Sequence, residues 1–239
     1  MTKMKISIIT ATYNAMEHLP GLVESLRSQT DKYFEWVVAD GGSTDGTLEY
    51  LKSITDLNLK VVSQEDFGIY DALNRGIKAC SGEFYLVMGA DDVLYPNAIA
   101  TFRSGIERGV DIVTAAIDFG DHISKPKGKM AWFYGQFAYV SGHAVGSIFR
   151  KSLHEINGYY SRRFPIAADQ YFMLKAIHNG ARVVFVDDVV GKHELIGVSA
   201  CDSLGTITEW YRVQVDVGFN RYIQTLLVLL RIVKYLFRS

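Results

Sequence analysis

The sequence predicts an α/β fold with a mostly parallel central sheet flanked by helices and a helical extension at the C-terminus. Three observations predict it. Short apolar segments alternate with helical patterns through the first half of the chain. Polar and glycine-rich clusters directly follow several of those apolar segments. The last residues form a further apolar segment that basic side chains interrupt.

The first half contains four strand-like segments, each followed by a helical pattern. Strands are expected at Lys5–Thr10, Phe34–Asp40, Leu59–Ser63 and Phe84–Met88, and helices at Met16–Gln29, from Thr44, at Ile69–Cys80 and at Pro96–Arg108. This alternation indicates βαβ units. Because such sheets bind ligands at the carboxyl ends of their strands, the polar clusters after the strands are candidate binding loops.

The second half is less regular. Asp111–Ala116 and Arg182–Val186 are strand-like, and a helix is expected from Ala168 to Asn179 before Gly180. The aromatic-rich segment Trp132–Tyr139 has no clear pattern. The sequence contains neither an internal repeat nor a low-complexity tract.

Composition excludes several classes of protein. The chain has 239 residues and a formal net charge of -1, which provides no field for binding nucleic acid. Cys80 and Cys201 are far apart and belong to no metal-binding spacing, so a reducing cytosol is expected. The apolar run Ile6–Ile9 is too short for the core of a signal peptide.

The C-terminal segment Tyr222–Phe237 is apolar but contains Arg231 and Lys234, with Arg238 directly after it. At helical spacing these three cations share one face opposite a wall of Leu, Ile and Val. This pattern favours a helix that lies in a membrane interface, and the segment is too short and too charged to span a bilayer. The alternative is a helix that packs on the domain or on a second subunit.

The segment Asp40–Thr47 reads DGGSTDGT and leads from a strand into a helix. Glycines at such a turn let the backbone approach a ligand, and Asp40 can accept hydrogen bonds from a base or ribose. A glycine-rich turn with a capping residue has the same appearance.

Two adjacent carboxylates, Asp91 and Asp92, follow the apolar run Phe84–Met88. They repel each other unless a cation neutralises them, and hard oxygen ligands of this kind suit Mg²⁺ or Mn²⁺ shared with a diphosphate. The alternative is a solvated turn before the next helix.

A third polar cluster contains Asp66, Gly68, Asp71, Asn74 and Arg75. On a helix that starts near Ile69, the last three lie at i, i+3 and i+4, so they are expected to face one ligand together. An exposed helix face has the same spacing. Asp169 lies at the start of the helix expected from Ala168, where a carboxylate also serves as an N-cap.

Taken together, these segments resemble family 2 glycosyltransferases of the GT-A fold. The matching segments are SIITATYN (7–14), VVADGGSTDGT (37–47), SQEDFGIYDALNRGI (63–77), SGEFYLVMGADD (81–92), SGHAVGSIFRKSLHEINGY (141–159), IAADQYFMLKAIHNGARV (166–183) and GVS (197–199). The GIYDALN form resembles the subgroup that works in bacterial polysaccharide biosynthesis.

The resemblance implies an inverting enzyme that moves a sugar from a nucleotide-sugar donor, normally a UDP-sugar, to an acceptor hydroxyl. Asp169 is the implied catalytic base, and Asp92, with Asp91, holds the Mn²⁺ or Mg²⁺ cofactor at the diphosphate. The implied donor-binding residues are Thr12, Tyr13, Asn14, Asp40, Gly41, Asp66, Gly68, Asp71, Asn74, Arg75 and Asp91.

The resemblance also implies roles for two histidines. His143 matches a family histidine on the acceptor side, and His193 is a candidate third metal ligand. Many relatives carry Glu-Asp at the position of the base, whereas Ala168 precedes Asp169 here, as in others of the subgroup.

The resemblance also divides the chain into a GT-A catalytic domain (1–200), with a nucleotide-sugar half (1–116) and an acceptor half (117–200), and a helical extension (201–239). The expected acceptor is a saccharide or lipid-linked saccharide, at the cytoplasmic face of the cell membrane through the C-terminal helix. Whether the chain forms a homo-oligomer is left open. The alternatives are a non-catalytic nucleotide-binding scaffold and a sugar nucleotidyltransferase, whose glycine-rich first turn this sequence lacks.

Overall fold

The computed structural model describes residues 4–107, 109–192 and 202–237. Within these residues nine strands form one mixed sheet. The strands are β1 (Ile6–Thr12), β2 (Phe34–Asp40), β3 (Leu59–Ser63), β4 (Phe84–Val87), β5 (Val93–Leu94), β6 (Ile112–Asp118), β7 (Ile123–Ser124), β8 (Ser147–Arg150) and β9 (Val183–Lys192).

The sheet order is β3-β2-β1-β4-β8-β6-β9-β5, with β7 paired to β6. Strands β1 to β4 run parallel to one another, which confirms the expected βαβ half. The sequence pattern missed β8, a four-residue strand that pairs antiparallel with both β4 and β6. These two antiparallel pairings make the sheet mixed.

Nine α-helices are described. They are α1 (Leu19–Arg27), α2 (Thr47–Ser53), α3 (Ile69–Ala79), α4 (Ala98–Ser104), α5 (Ala131–Tyr134), α6 (Leu153–Asn157), α7 (Ala168–His178), α8 (Ser203–Asp216) and α9 (Arg221–Leu236), with short 3₁₀ turns at Gly135–Ala138 and Ala144–Gly146. The expected helices are confirmed, with ends that differ by a few residues. The aromatic-rich segment forms α5 and the first 3₁₀ turn.

Apolar side chains cover both faces of the sheet. One core cluster includes Trp36, Phe84 and Phe102, and the other includes Tyr85, Phe164 and Phe172. Helix α3 lies so close to β1 that a Cβ at Gly76 would be 2.5 Å from Ile9 Cγ2. A glycine is therefore required where α3 crosses the sheet.

Two helices form the described part of the expected helical extension, and α9 matches the helix expected at Tyr222–Phe237. Helix α8 contributes Val213 to the second core cluster, and α9 packs on α8. Arg231 faces the protein, because its Nη2 donates to the carbonyl of Phe133 at 2.9 Å. Arg231 is half-buried and Lys234 is exposed, so the cations expected on one face of the helix differ in their surroundings. Arg238 lies outside the described residues.

Candidate functional site

Asp40 anchors the turn between β2 and α2. Its side chain is completely buried. Oδ2 accepts from the backbone amides of Gly42 (2.9 Å) and Ser43 (3.0 Å) and from the hydroxyl of Ser63 (2.9 Å), while Oδ1 accepts from the hydroxyls of Thr12 and Ser43. Burial raises the pKa of Asp40, but these hydrogen bonds outweigh it and lower the pKa. The expected contact of Asp40 with a base would require one of these bonds to be exchanged.

The loops after β1 and β2 are interlocked. The amide of Asn14 donates to the hydroxyl of Ser43 (2.8 Å), and Asn14 Oδ1 accepts from the amide of Thr44 (2.9 Å). Asn14 adopts a left-handed conformation with φ of 48°. The neighbouring Tyr13 is 69% exposed, so a rigid loop presents a free aromatic face. Such a face suits stacking with a planar base.

Gly41 permits a close approach of two donor-site candidates. A Cβ at Gly41 would lie 2.7 Å from Asp66 Oδ2 and 3.4 Å from Tyr13 Cδ2, so a larger residue would displace Asp66. Asp66 Oδ1 accepts from the amide of Gly68 at 3.0 Å. The structure thus brings Tyr13, Gly41 and Asp66 together.

Arg75 lies beside this cluster. Its Nη2 donates to the carbonyl of Asp40 (2.7 Å) and is 3.6 Å from Asp66 Oδ2. Its Nε and Nη1 are buried and have no hydrogen-bond partner among the residues the structure describes. Buried guanidinium N–H groups without acceptors are costly, so this position suits an incoming acceptor such as an anionic ligand.

Asp71 and Asn74, expected to face a ligand together with Arg75, are each bonded to other parts of the protein. The side chain of Asn74 donates to the carbonyl of Tyr160 and accepts from its amide, both at 2.9 Å. Asp71 Oδ1 accepts from Arg162 Nη2 at 2.7 Å. These two side chains tie α3 to the segment that leads into α7.

Asp91 and Asp92 converge above Gly89. A Cβ at Gly89 would lie 2.7 Å from Asp91 Oδ1 and 3.0 Å from Asp92 Oδ2. Asp92 is almost completely buried, and its Oδ2 accepts from the amide of Gly89 at 2.7 Å. Its Oδ1 is 3.7 Å from His143 Nδ1, so the histidine expected on the acceptor side lies beside the carboxylate pair.

The carboxylate pair fits a divalent cation. No group of three or more His, Cys, Asp or Glu side chains that could hold a metal occurs in residues 4–107, 109–192 and 202–237. Mg²⁺ is commonly held by one or two carboxylates plus phosphate oxygens and water, and the oxygens of Asp91 and Asp92 match that requirement. His193 and the segment 197–199 lie outside the described residues.

Asp169 occupies the first turn of α7, after the N-cap residue Ala167. It is therefore not the N-cap that the sequence left as an alternative. Its Oδ1 accepts from the hydroxyl of Tyr70 at 2.8 Å. Desolvation raises the pKa of Asp169, and the hydrogen bond from Tyr70 lowers it only in part. A raised pKa makes this carboxylate a stronger base than a solvated aspartate.

Glu209 supports the same helix. The sequence did not predict this role of Glu209. Its carboxylate, on α8, accepts from the amides of Ile166 (3.0 Å) and Ala167 (2.9 Å), which directly precede α7. The side chain is buried. The available signal was its spacing with buried Thr206 and Val213 on one face of α8, which marks Glu209 as inward-facing.

The loops at the carboxyl edge of β1, β2 and β4 gather the polar side chains where α/β sheets bind their ligands, as expected of a glycosyltransferase of the GT-A fold. The chain belongs to glycosyl transferase family 2, whose family model matches residues 7–175. It is 31% identical over 209 residues to the PGL/p-HBAD biosynthesis glycosyltransferase of Mycobacterium bovis, which covers 82% of this chain and 79% of the relative.

Two solved structures share the fold. S. aureus TarS in complex with UDP-GlcNAc matches with a TM-score of 0.71 and 21% identity over 94% of this chain and 70% of that chain. The mannosyltransferase PcManGT from Pyrobaculum calidifontis, in complex with GDP-Man and Mn²⁺, matches with a TM-score of 0.71 and 19% identity over 90% of this chain and 64% of that chain. This likeness confirms the expected fold class.

Proposed function

We propose that the protein is an inverting glycosyltransferase that moves a hexosyl or N-acetylhexosaminyl group from a UDP-sugar to an acceptor hydroxyl. One observation carries the proposal: the acidic side chains occupy two different environments. Asp91 and Asp92 form a close pair suited to a cation, whereas Asp169 has a raised pKa and accepts a hydrogen bond from Tyr70. A metal-bound diphosphate and a general base need such a division.

The donor site is proposed at the loops after β1, β2 and β3. Exposed Tyr13 would stack on the base, and Arg75 would donate its unsatisfied N–H groups to the nucleotide. Thr12, Asn14 and Asp40 would hold the loop in shape through their hydrogen bonds. The structural neighbours TarS and PcManGT are in complex with UDP-GlcNAc and GDP-Man, which supports a nucleotide-sugar ligand at this edge.

A divalent cation held by Asp91 and Asp92, when bound, would stabilise the negative charge that builds on the departing diphosphate. Mn²⁺ in the structure of PcManGT supports this assignment. The contact between Asp92 and the amide of Gly89 fixes one carboxylate oxygen before any ligand arrives. Preorganisation of this kind lowers the free-energy cost of binding.

Asp169 is the proposed base. Its ionised carboxylate would take the proton of the acceptor hydroxyl as the hydroxyl oxygen attacks the anomeric carbon and the bond to the diphosphate breaks. A single displacement of this kind inverts the anomeric configuration and forms no covalent intermediate. Asp169 lies at the start of α7, a different element from the loop that carries Asp91 and Asp92, which supports a role separate from the diphosphate.

The test is the variant Asp169→Asn, assayed with UDP-sugars and Mn²⁺. Asparagine keeps the size and polarity but cannot accept the proton, so kcat is expected to fall by about 10² to 10⁴ with UDP binding unchanged. NMR of the product should show the opposite anomeric configuration from the donor. Full transfer by the variant would remove Asp169 as the base, and UDP binding by a wild type inactive with all acceptors would favour the scaffold alternative.

The acceptor is proposed to be a lipid-linked saccharide at a membrane surface. The outer face of α9 exposes Leu226 (59%), Leu229 (55%), Leu230 (56%) and Phe237 (87%). Residues 217–239 contain no Asp or Glu, so the charged side chains of this segment are cations. An apolar face with a basic rim suits an anionic bilayer interface.

Helix α5 and Met130, the residue directly before it, extend this surface. Met130, Trp132 and Phe133 are each 41 to 50% exposed, and α9 is tied to them through a hydrogen bond from Gln224 Nε2 to the carbonyl of Trp132 at 2.6 Å. Exposed Lys127 and Lys129 lie next to them in the chain. Trp at the headgroup level is typical of membrane contacts. Within the described residues, the chain has no helix with the length and hydropathy required to cross a bilayer.

A further inference from the structure

We propose that Tyr70 is a positioning residue for the reaction, whose hydroxyl orients the carboxylate of Asp169 for proton transfer. The inference rests on the proposed function, because it assumes that Asp169 is the base. Tyr70 belongs to the first turn of α3, a helix otherwise assigned to the donor side. Its role would therefore link the donor half of the molecule to the base.

The hydroxyl of Tyr70 lies 2.8 Å from Asp169 Oδ1 and 2.8 Å from the carbonyl oxygen of Ile166. When Asp169 is ionised, the hydroxyl donates its proton to the carboxylate. When Asp169 has taken a proton, the carboxylic acid can donate to the tyrosine oxygen, and the tyrosine proton turns to the Ile166 carbonyl. One hydroxyl thus holds the carboxyl group in the same place before and after proton transfer.

The position of Tyr70 is itself fixed. Asn74, one turn further along α3, donates to the carbonyl of Tyr160 and accepts from its amide. Asp71 forms an ion pair with Arg162. The ring of Tyr70 packs against that of Tyr160 with centroids 5.5 Å apart. These contacts bind α3 to the segment before α7, so the hydroxyl and the carboxylate belong to one rigid frame.

The electrostatic surroundings of Asp169 make this hydrogen bond important. Three tyrosines interact with it electrostatically, Tyr70 of α3, Tyr85 of β4 and Tyr160, and burial raises the pKa of each of them, so all three are neutral. Tyr85 shares its hydrogen bonds with His154 and Tyr160, and Glu209 of α8 accepts from the amides of Ile166 and Ala167. In these surroundings the Tyr70 hydroxyl is the side-chain group that stabilises the ionised base.

The test is Tyr70→Phe, which keeps the ring and removes the hydroxyl. Without the donor, the ionised carboxylate loses stabilisation, so the acid limb of the kcat/KM profile is expected to move to higher pH by about one unit. At neutral pH kcat is expected to fall by roughly tenfold, with the KM for the donor unchanged. The matched control is Tyr95→Phe, which removes a tyrosine hydroxyl 2.6 Å from Asp118 Oδ2 and should leave the acid limb in place.

A second substitution guards against misfolding of the phenylalanine variant. 3-Fluorotyrosine introduced at position 70 keeps the hydrogen bond and makes the hydroxyl a stronger donor, so the acid limb should move to lower pH. An acid limb that both changes leave at the wild-type pH would overturn the role of Tyr70.

A readout independent of activity separates this proposal from the proposed function. The ¹³C-carboxyl resonance of Asp169, assigned from Asp169→Asn, is titrated by NMR in wild type and Tyr70→Phe. A raised pKa in the variant with a matching shift of the acid limb supports both proposals. A raised pKa without a shift of the acid limb supports the contact but rejects Asp169 as the base, and an unchanged pKa rejects Tyr70.

Discussion

At the scale of single residues, the site is organised by how each polar side chain is satisfied. Asp40, Asn74 and Glu209 have their hydrogen-bonding capacity engaged by backbone groups, so they shape the loops. Arg75 is the contrasting case, because two of its buried N–H groups have no partner among the described residues. A side chain with unsatisfied donors at a loop cluster is a candidate ligand contact.

Arg75 should therefore contribute to nucleotide affinity. We expect Arg75→Gln to weaken UDP binding by roughly tenfold to a hundredfold, since a charge-assisted hydrogen bond is worth about 1.5 to 3 kcal/mol. Isothermal titration calorimetry measures this directly. The control is Lys78→Gln, which removes an exposed cation from the same helix and should leave affinity unchanged. Equal losses in both variants would show a long-range charge effect and contradict a direct contact.

The acidic candidates of the site could be predicted from the sequence, but the contacts of α3 could not. Asp91, Asp92 and Asp169 follow strands or open a helix, and that placement carries over to the structure. The spacing of Asp71, Asn74 and Arg75 gives the helix face but not what packs against it. Their partners are 86 to 91 residues away in the case of Asn74 and Asp71, and sequence periodicity contains no such information.

At the scale of elements, the C-terminal helices have two separate tasks. Helix α8 places Glu209 at the start of α7 and so supports the segment that carries Asp169. Helix α9 packs through Gln224, Leu227 and Val228 and leaves a wide apolar face exposed. The sequence predicted the amphipathic α9 but did not show that Arg231 packs against the protein, which a basic residue with a long apolar stem can do.

The exposed face of α9 should bind anionic vesicles. We expect the double variant Leu226→Ser/Leu230→Ser to bind the vesicles at least tenfold more weakly, because each buried Leu contributes about 2 kcal/mol. Co-sedimentation with the vesicles measures this affinity. The matched control is Ile156→Ser, which removes an apolar side chain that is 74% exposed on α6. Unchanged sedimentation of the double variant, or a loss of self-association measured by ultracentrifugation, would contradict a membrane role in favour of a subunit contact.

At the scale of the whole molecule, one buried carboxylate joins the central strands. Glu35 of β2 accepts from the hydroxyl of Ser7 on β1 (2.6 Å), from Lys5 Nζ (3.1 Å) and from the amide and hydroxyl of Ser81 before β4. Burial raises the pKa of Glu35, but these hydrogen bonds outweigh it and lower the pKa to about 2. The ionised carboxylate therefore stabilises the folded state.

This carboxylate should make stability depend on pH. Because its pKa is lower in the folded than in the unfolded state, its contribution is complete above the ordinary pKa of 4.5 and is lost as pH falls towards 2. We expect Glu35→Gln to lower the free energy of unfolding by about 3 kcal/mol at pH 7, with the difference from wild type narrowing below about pH 5. Urea titrations measure both. Glu17→Gln, at an exposed position, is the control, and a difference constant with pH would contradict the assignment.

The overall architecture could be predicted in its regular half. Alternation of strands and helices up to α4 predicted that β1 to β4 run parallel to one another, because a helical pattern follows each strand-like segment. The mixed half depends on β8 and on the two-residue strands β5 and β7, which take their structure from their neighbours. The division into a domain at 1–200 and an extension at 201–239 stays a prediction, although α8 contributes to the second core cluster.

The most direct test of the central claim is a calorimetric titration of the intact protein with UDP, with and without Mn²⁺, on wild type, Asp92→Ala and Asp92→Asn. Asparagine can still accept from the amide of Gly89, so it separates the charge of Asp92 from its loop contact. We predict binding that requires Mn²⁺ in wild type and is lost in both variants while their thermal melting stays cooperative. Metal-independent binding, or full metal-dependent binding by both variants, would contradict a donor site built on Asp91 and Asp92.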